Sequence, residues 1–423
     1  MNIVYVSDQY WPSVSGVPVS MDSFKENFAE LGHKVSLLVP EYPEAEQWDK
    51  ENNSENIFRF RSRSIFFNKE NRMVRRSEKN KIHERLKIIA PDVIHVHTEF
   101  SLAKVVIKYA RKNNIPVVLT AHTNWEELIN EYISFIPKKI SQLCCRSFLR
   151  RIFNRVDLVI APTKLMASRL VSYSVNKPIE VIPTGLSLEK FAKNGPVESN
   201  HEANVQFEIL AGKVKGKKTL MYVGRLGKEK NIKFLIDVFH SIQQTINNVT
   251  FVIVGDGPSR AELEEHARFL GIKEKVIFTG FVARERLKDF YSLAYVFMFA
   301  SKVESQGLVI LESMACGTPV VAIGEMGTRA LMASGRGGFM VDDNIDLFIA
   351  MVELLLKDSK VYAEKSAEAL QEAQEWGSEL MSSKVLTLYE DLLVEKGKLN
   401  AIQSYEKYVL DDADYSDFIG LGH

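Results

Sequence analysis

Apolar and polar residues follow two alternating rhythms along this chain. Short β-branched runs are separated by longer segments in which apolar positions recur at helical spacing. The first pattern is that of parallel strands and the second that of the crossover helices joining them, so the chain predicts an α/β fold. In the first half the runs are Ile3–Val6, Val35–Val39, Val93–Val96, Val117–Thr120, Leu158–Ala161 and Ile179–Ile182. Gly32 is placed to end one helix and Thr163 to cap the start of another. From Pro183 the rhythm lapses through Gly185, Gly195, Pro196 and Gly212. It resumes with Thr219–Val223, Thr250–Val254, Val276–Thr279, Val296–Ala300 and Val320–Ile323.

The expected architecture is two tandem Rossmann-like, doubly wound domains, residues 1–185 and 217–377, joined by a linker at 186–216. Ligands of such sheets sit outside the carboxyl ends of the strands, so two units facing each other make one cleft. The last periodic segment, about Ser378–Lys396, is expected to pack as a helix, and the C-terminal stretch 378–423 is expected to cross back and complete the first unit. The tail after it, with Asp411, Asp412, Asp414 and Asp417, is expected in solvent.

Composition narrows the class. The chain has 423 residues, 46 % hydrophobic, which suits two domains with real cores. Its three cysteines, two of them adjacent at Cys144 and Cys145, make no disulfide framework or zinc site. The N-terminal apolar run is too short for a signal peptide and lacks a basic flank, and no run is long enough to span a membrane. A cytoplasmic protein is the expectation. The 54 basic and 54 acidic residues cancel, but not locally. Residues 1–190 hold 28 Lys/Arg and 21 Asp/Glu, a net of +7, and residues 57–155 hold 21 and 8, a net of +13.

The densest chemical signal is Glu304-Ser305-Gln306-Gly307-Leu308, followed by Glu312 and Gly317. It comes just after the run Val296–Ala300, which puts Glu304 in a strand-to-helix loop and Glu312 about two turns into the helix. Backbone N–H groups near Gly307 are placed to hold a phosphate, with Glu304 and Glu312 as acceptors for sugar and ribose hydroxyls. Read alone, the two carboxylates fit equally well as solvated loop and helix-surface groups. A second signal, Gly224-Arg225-Leu226-Gly227 through Lys230 and Asn231, follows Thr219–Val223 and offers a guanidinium fork and a point charge for phosphate oxygens. Gly255-Asp256-Gly257-Pro258 reads as a tight turn. In the first half Gly16 lies in a loop ahead of a helix and His122 lies just past Val117–Thr120, facing the cleft. His95 and His97 share one strand face, where burial is the expected fate of at least one.

Together these motifs resemble the retaining glycosyltransferases of the GT-B, family-4 type, from about Asn2 to about Glu395. Ser7-Asp8, Trp11-Pro12, Gly16-Val17, His97-Thr98-Glu99-Phe100-Ser101 and His122-Thr123 with Glu126 look like the bacterial diacylglycerol glucosyltransferases. Gln306 stands where many relatives have Phe, and Ser15 where many have glycine or another polar residue. The resemblance implies a nucleotide-sugar donor, most simply UDP-glucose, held by Gly16, Arg225, Lys230, Glu304, Ser305, Gln306, Gly307, Leu308 and Glu312. Of these, Arg225, Lys230 and Glu304, with His122, carry the transfer. It implies a lipid acceptor and no metal, since Arg225 and Lys230 stand where a metal would neutralise the leaving diphosphate; Asp412-Ala413-Asp414 has the spelling of a metal motif but lies in the tail.

The basic excess then suits an anionic membrane. Segment 134–155 combines Lys138, Lys139, Arg146, Arg150, Arg151 and Arg155 with Ile136, Ile140, Leu143 and Cys144 at helical spacing. Segment 59–76 combines Arg59, Arg61, Arg63, Arg72, Arg75 and Arg76 with Phe66 and Phe67. Both are expected to dock on the cytosolic membrane face; packing of the stripe on the protein's own sheet is the alternative. A phosphatidylinositol, polysaccharide or polyol acceptor, a sugar-nucleotide epimerase or phosphorylase, and a non-catalytic sugar-nucleotide-binding module are the competing functions. Nucleic acid is not expected as a partner, because the basic stretches carry no recognisable stacking module.

Overall fold

A strand with no solvent-facing side reads as an apolar run rather than an alternation, because helices cover both faces of a parallel sheet. The central strands of both halves follow this rule, and residues such as Val4, Val6, Ile94, Val118, Met221 and Phe297 are fully buried. The computed structural model describes residues 1–398 apart from 14, 52–55, 66–67, 124, 126–137, 192–200 and 305. Ser305, Phe66, Phe67, Glu126, Ile136, Gly195, Pro196 and the acidic tail lie outside the described residues.

The first half holds strands β1 (Asn2–Val6), β2 (Lys34–Pro40), β3 (Ile57–Phe60), β4 (Ser62–Ile65), β5 (Asn68–Val74), β6 (Val93–Val96), β7 (Val117–Thr120), β8 (Leu158–Ala161) and β9 (Ile179–Val181). Seven of them form a parallel sheet in the order β3-β2-β1-β6-β7-β8-β9, and β4 and β5 form an antiparallel hairpin beside it. The second half holds β10 (Lys218–Val223), β11 (Val249–Val254), β12 (Val276–Gly280), β13 (Val296–Phe299), β14 (Val320–Ile323) and β15 (Gly338–Val341). They form one parallel sheet, β12-β11-β10-β13-β14-β15. In both sheets the order reverses beside the first strand, at β1 and at β10, and this opens a crevice at the carboxyl ends.

Four features differ from the pattern-based expectation. Strand β3 and the β4–β5 hairpin occupy the segment read as a basic, membrane-facing stretch; arginines interrupt its apolar run, and β3 is an edge strand only partly covered. Strand β15 is absent from the expected set because it too is an edge strand, short and glycine-led. A Cβ on Gly338 would fall 1.9 Å from the Val320 carbonyl, so only glycine lets β15 pair there. The expected linker is partly helical, with Leu188–Phe191 and His201–Val214. Phe191, Leu210 and Val214 anchor it in the second core, too few and too widely spaced to read as a periodic face.

The chain passes between the units twice, and the two passages touch. The Leu186 N–H donates to the Trp376 carbonyl at 2.8 Å and the Ser378 N–H to the Leu186 carbonyl at 3.0 Å. Between them Gly185 has no room for a side chain, since a Cβ would sit 2.4 Å from the Ser378 Cα. The helix Ser378–Glu395 then lies on the helix Gly16–Glu30 and completes the first unit's core with Met381, Val385, Tyr389 and Leu392.

Candidate active site

One cavity of about 910 Å³ lies between the two sheets. Gly16, His122 and Thr184 line it from the first unit, and Arg225, Lys230, Glu304, Gln306, Gly307, Leu308 and Glu312 from the second. Every predicted site residue among the described ones therefore meets in this single space.

On the second-unit wall, charges are arranged in pairs. Lys230 Nζ is hydrogen-bonded to Glu304 Oε1, with both side chains about one-fifth exposed. Arg225 Nη2 donates to Glu229 Oε1 at 2.5 Å. The Glu304 backbone is fixed from its own unit by the Gly327 N–H, which donates to its carbonyl at 2.9 Å. Gly307 caps the helix Leu308–Ala315 at φ +85°, a conformation glycine adopts without strain, and the helix start opens on the cavity. Glu312 is buried in that helix: Tyr291 Oη donates to its Oε2 at 2.8 Å and Arg284 Nη2 lies 3.3 Å from Oε1. The surface reading of Glu312 is thereby excluded. Gly255 and Gly257 do more than turn the chain, since both line the cavity and a Cβ on Gly255 would lie 2.0 Å from the Gly224 carbonyl oxygen.

Gln306 departs from expectation. Its place in the motif assigns it to the donor, yet its side-chain amide is engaged by the first unit: Nε2 donates to the Thr184 carbonyl at 2.7 Å and Oε1 accepts from the Thr184 N–H at 2.8 Å.

On the first-unit wall His122 lines the cavity, backed by a stack of two buried imidazoles. His122 Nε2 lies 3.0 Å from His97 Nδ1, the two rings are parallel, and His97 stacks in turn on His95 at 4.1 Å. His95 completes its bonding with Tyr389 Oη at 2.5 Å and Thr120 Oγ1 at 2.6 Å. Burial pushes His122 down to about 4 and both deeper histidines well below the usual range, so His122 meets the cavity as a neutral imidazole.

Two carboxylates that sequence reasoning did not assign to the site sit behind this wall. Asp8 accepts from Thr98 Oγ1 at 3.2 Å, from Ser101 Oγ and from the Leu102 N–H at 3.3 Å, at the start of the helix Ser101–Lys112. Glu99 accepts from Trp125 Nε1 at 2.8 Å. Burial raises Asp8 to about 6 and Glu99 to about 7 against those hydrogen bonds. The available signal was polar residues at the carboxyl ends of apolar strands, where a loop solvated at the surface has the same spelling.

Residues 14–190 match the family described as Glycosyltransferase Family 4, and residues 208–376 match Glycosyl transferases group 1. The chain is a family-4 glycosyltransferase. The enzyme is 32 % identical over 396 residues to the alpha-monoglucosyldiacylglycerol synthase of Streptococcus pneumoniae, covering 93 % of this chain and 86 % of that one. It is 26 % identical to the protein of the same name from Acholeplasma laidlawii, over 94 % of this chain and 99 % of the other. Its fold matches the crystal structure of Anabaena Alr3699/HepE in complex with UDP at a TM-score of 0.71 and 18 % identity, over 91 % of this chain and 98 % of that one. The architecture is GT-B.

The glycosyltransferase's basic surface is smaller than its sequence implied. Arg59 is nearly buried and forms a two-bond ion pair with Asp49 at 2.7 Å; Arg61 pairs with Glu78 at 2.7 Å. Arg72 donates to Ser62 Oγ at 2.6 Å, lies over the Tyr42 ring and lines the cavity. Arg63, Arg75 and Arg76 stay exposed. The helix Lys138–Phe153 has two faces: Cys145, Leu149, Ile152 and Phe153 enter the core, while Ile140 and Leu143 stand 55 % and 68 % exposed among Lys139, Arg146, Arg150 and Arg151. Among the described residues no helix is long and apolar enough to cross a membrane.

Proposed function

We propose that this glycosyltransferase moves glucose from UDP-glucose, with retention at the anomeric carbon, to a lipid hydroxyl such as that of 1,2-diacylglycerol at an anionic membrane surface. The observation that carries the reading is a wall with two cations and a helix N-terminus, Arg225, Lys230 and Leu308–Ala315, facing a neutral imidazole across one cavity. The similarity along almost the whole chain to two proteins named as alpha-monoglucosyldiacylglycerol synthases supports the acceptor, and the UDP in the Anabaena structure supports the donor base.

In this reading the diphosphate binds at the helix start, and Arg225 and Lys230 neutralise it. As the bond between the glucosyl carbon and the β-phosphate oxygen breaks, the electron pair stays on that oxygen; the acceptor hydroxyl forms the new bond to the glucosyl carbon and gives its proton to the departing phosphate. Cations fixed where that charge grows stabilise the transition state more than the ground state. The diphosphate competes with Glu304 for Lys230, which releases the Glu304 carboxylate to accept from a sugar hydroxyl. Glu312 binds the ribose, its burial keeping it fixed, and His122 contacts the sugar from the opposite wall. The loop Gly280–Leu287, with exposed Phe281 on the cavity, supplies the face for the base. The helix Lys138–Phe153 rests its exposed Ile140 and Leu143 on the membrane, with its lysine and arginines toward lipid phosphates.

The deciding experiment incubates the purified full-length enzyme with UDP-, GDP- and ADP-sugars and a bacterial lipid extract, and reads products by mass. A monohexosyl diacylglycerol formed from UDP-glucose alone, with an α linkage, is expected. Transfer from GDP-mannose to a phosphatidylinositol, or only to water-soluble acceptors, overturns it.

A further inference from the structure

Gln306 belongs to the donor loop by sequence and to the opposite unit by its bonds. We propose that it is a positioning residue: it holds Gly307, at the start of the helix Leu308–Ala315, in register with the first unit through the backbone of Thr184, and its side chain touches no substrate. The inference rests on the glycosyltransferase activity and not on which donor or acceptor is used.

The geometry is that of a strand bridge made with a side chain. Gln306 is 4 % exposed, and its amide supplies one donor and one acceptor to the one acceptor and one donor of Thr184, at 2.7 and 2.8 Å. No other residue type does this at that reach: Glu lacks the donor, Asn is one methylene shorter, and Met has neither group. Thr184 is itself fixed to the first unit. Its Oγ1 is 2.8 Å from Ser20 Oγ, and Ser23 Oγ donates to the next carbonyl, of Gly185, at 3.0 Å. Ser20 and Ser23 lie on the helix that begins at Gly16 on the cavity wall. On the other side, Glu304 is tied to its own unit by Gly327 and Lys230. The clasp thus links the Gly16 and Gly307 helix starts from opposite walls, and it does so beside the two chain passages, where a small shift is magnified across the cleft. Transfer needs His122 and the Lys230–Glu304 pair at one separation, and a displacement of about 1 Å costs on the order of 10² in rate.

The test compares the full-length wild type with Gln306→Met, of similar size without either hydrogen bond, and Gln306→Glu. Hydrogen exchange at the Thr184 amide is expected to accelerate in Gln306→Met at neutral pH, because Met offers that N–H no acceptor, whereas the Glu carboxylate still accepts from it and loses only the bond to the Thr184 carbonyl. Turnover, kcat/KM, is expected to fall at least about tenfold, while the Kd for the nucleoside diphosphate of the donor changes by less than about threefold, because that ligand's second-unit contacts stay in place. In Gln306→Glu the activity relative to wild type is expected to recover as pH falls, since a protonated carboxyl regains the donor to Thr184. Wild-type turnover or unchanged Thr184 exchange in Gln306→Met, nucleotide affinity falling in step with turnover, or an absence of acid recovery in Gln306→Glu would each overturn the assignment. If the wild type turns over no UDP-glucose, the donor proposal fails, and the Thr184 exchange still decides the clasp.

Discussion

Lys230 and Glu304, 74 residues apart in the chain, are joined as an ion pair on the floor of the cleft. Each is only about one-fifth exposed, so each limits the cost of the other's burial until a ligand takes one partner. Lys230→Ala is expected to lower kcat by roughly 10²–10³, with the protein still folded. Lys230→Ala and Glu304→Gln are expected to be non-additive, the double variant costing little more than the worse single one. Steady-state kinetics on the three variants check this, and near-normal kcat in Lys230→Ala contradicts the proposed role.

Glu99 makes the first unit sensitive to pH. Burial lifts its carboxyl from 4.5 to about 7, so between those values the folded state holds a proton that the unfolded state has lost. Its contribution therefore falls as pH rises through that window. Glu99→Gln keeps an acceptor for Trp125 and removes the charge; it is expected to gain stability over wild type with rising pH, by up to about 3 kcal/mol above pH 7. Denaturant unfolding at pH 5 and pH 8 reads the difference, and equal offsets at both would disprove the linkage.

The three stacked histidines act in the opposite sense. His122, at about 4 in the folded enzyme, stays neutral where an unfolded histidine takes up a proton, so its contribution is lost as pH falls from about 6.5 toward 4. His122→Asn is expected to flatten the acid limb of the stability curve and to lower kcat/KM. The acid limb of kcat above pH 5 is expected to survive in the variant, because His122 does not titrate there. Loss of that limb would assign it to His122 after all.

Ile140 and Leu143 are the exposed apolar residues of a helix otherwise anchored in the core. The variant Ile140→Ser/Leu143→Ser is expected to bind vesicles of anionic phospholipid at least about tenfold more weakly and to keep its melting temperature. High salt is expected to weaken wild-type binding as well, since surface charge attraction is screened within a Debye length of about 8 Å at physiological ionic strength. Equal flotation of variant and wild type would remove the membrane face from this helix.

The leaving diphosphate already meets two protein cations in the proposed mechanism, Arg225 and Lys230. Turnover is expected to persist in EDTA. Activity that is abolished by the chelator and restored by magnesium or manganese would show that these side chains do not suffice.

Much of the site was legible because strand ends are legible. A run such as Val117–Thr120 stops where the next residue can face the crevice, so His122 could be placed from its position alone, as could Arg225 after β10 and Glu304 after β13. The bonds were not. Gln306 meets Thr184 across 122 residues, and Arg59 and Arg72 have the same spelling whether they face lipid, an aspartate or the cleft. Edge strands β3 and β15 escaped for a related reason: half-covered and interrupted by charge or glycine, they carry no continuous apolar run.

The sequence by itself determined two doubly wound units, the loops that meet between them and the family, because apolar period and motif spacing are local properties. Tertiary structure alone decided which charges remain available. A carboxylate or guanidinium is indifferent along the chain to being solvated or paired, and only burial beside a particular partner, as for Glu304 with Lys230 or Glu312 with Tyr291, turns it into a fixed part of a site.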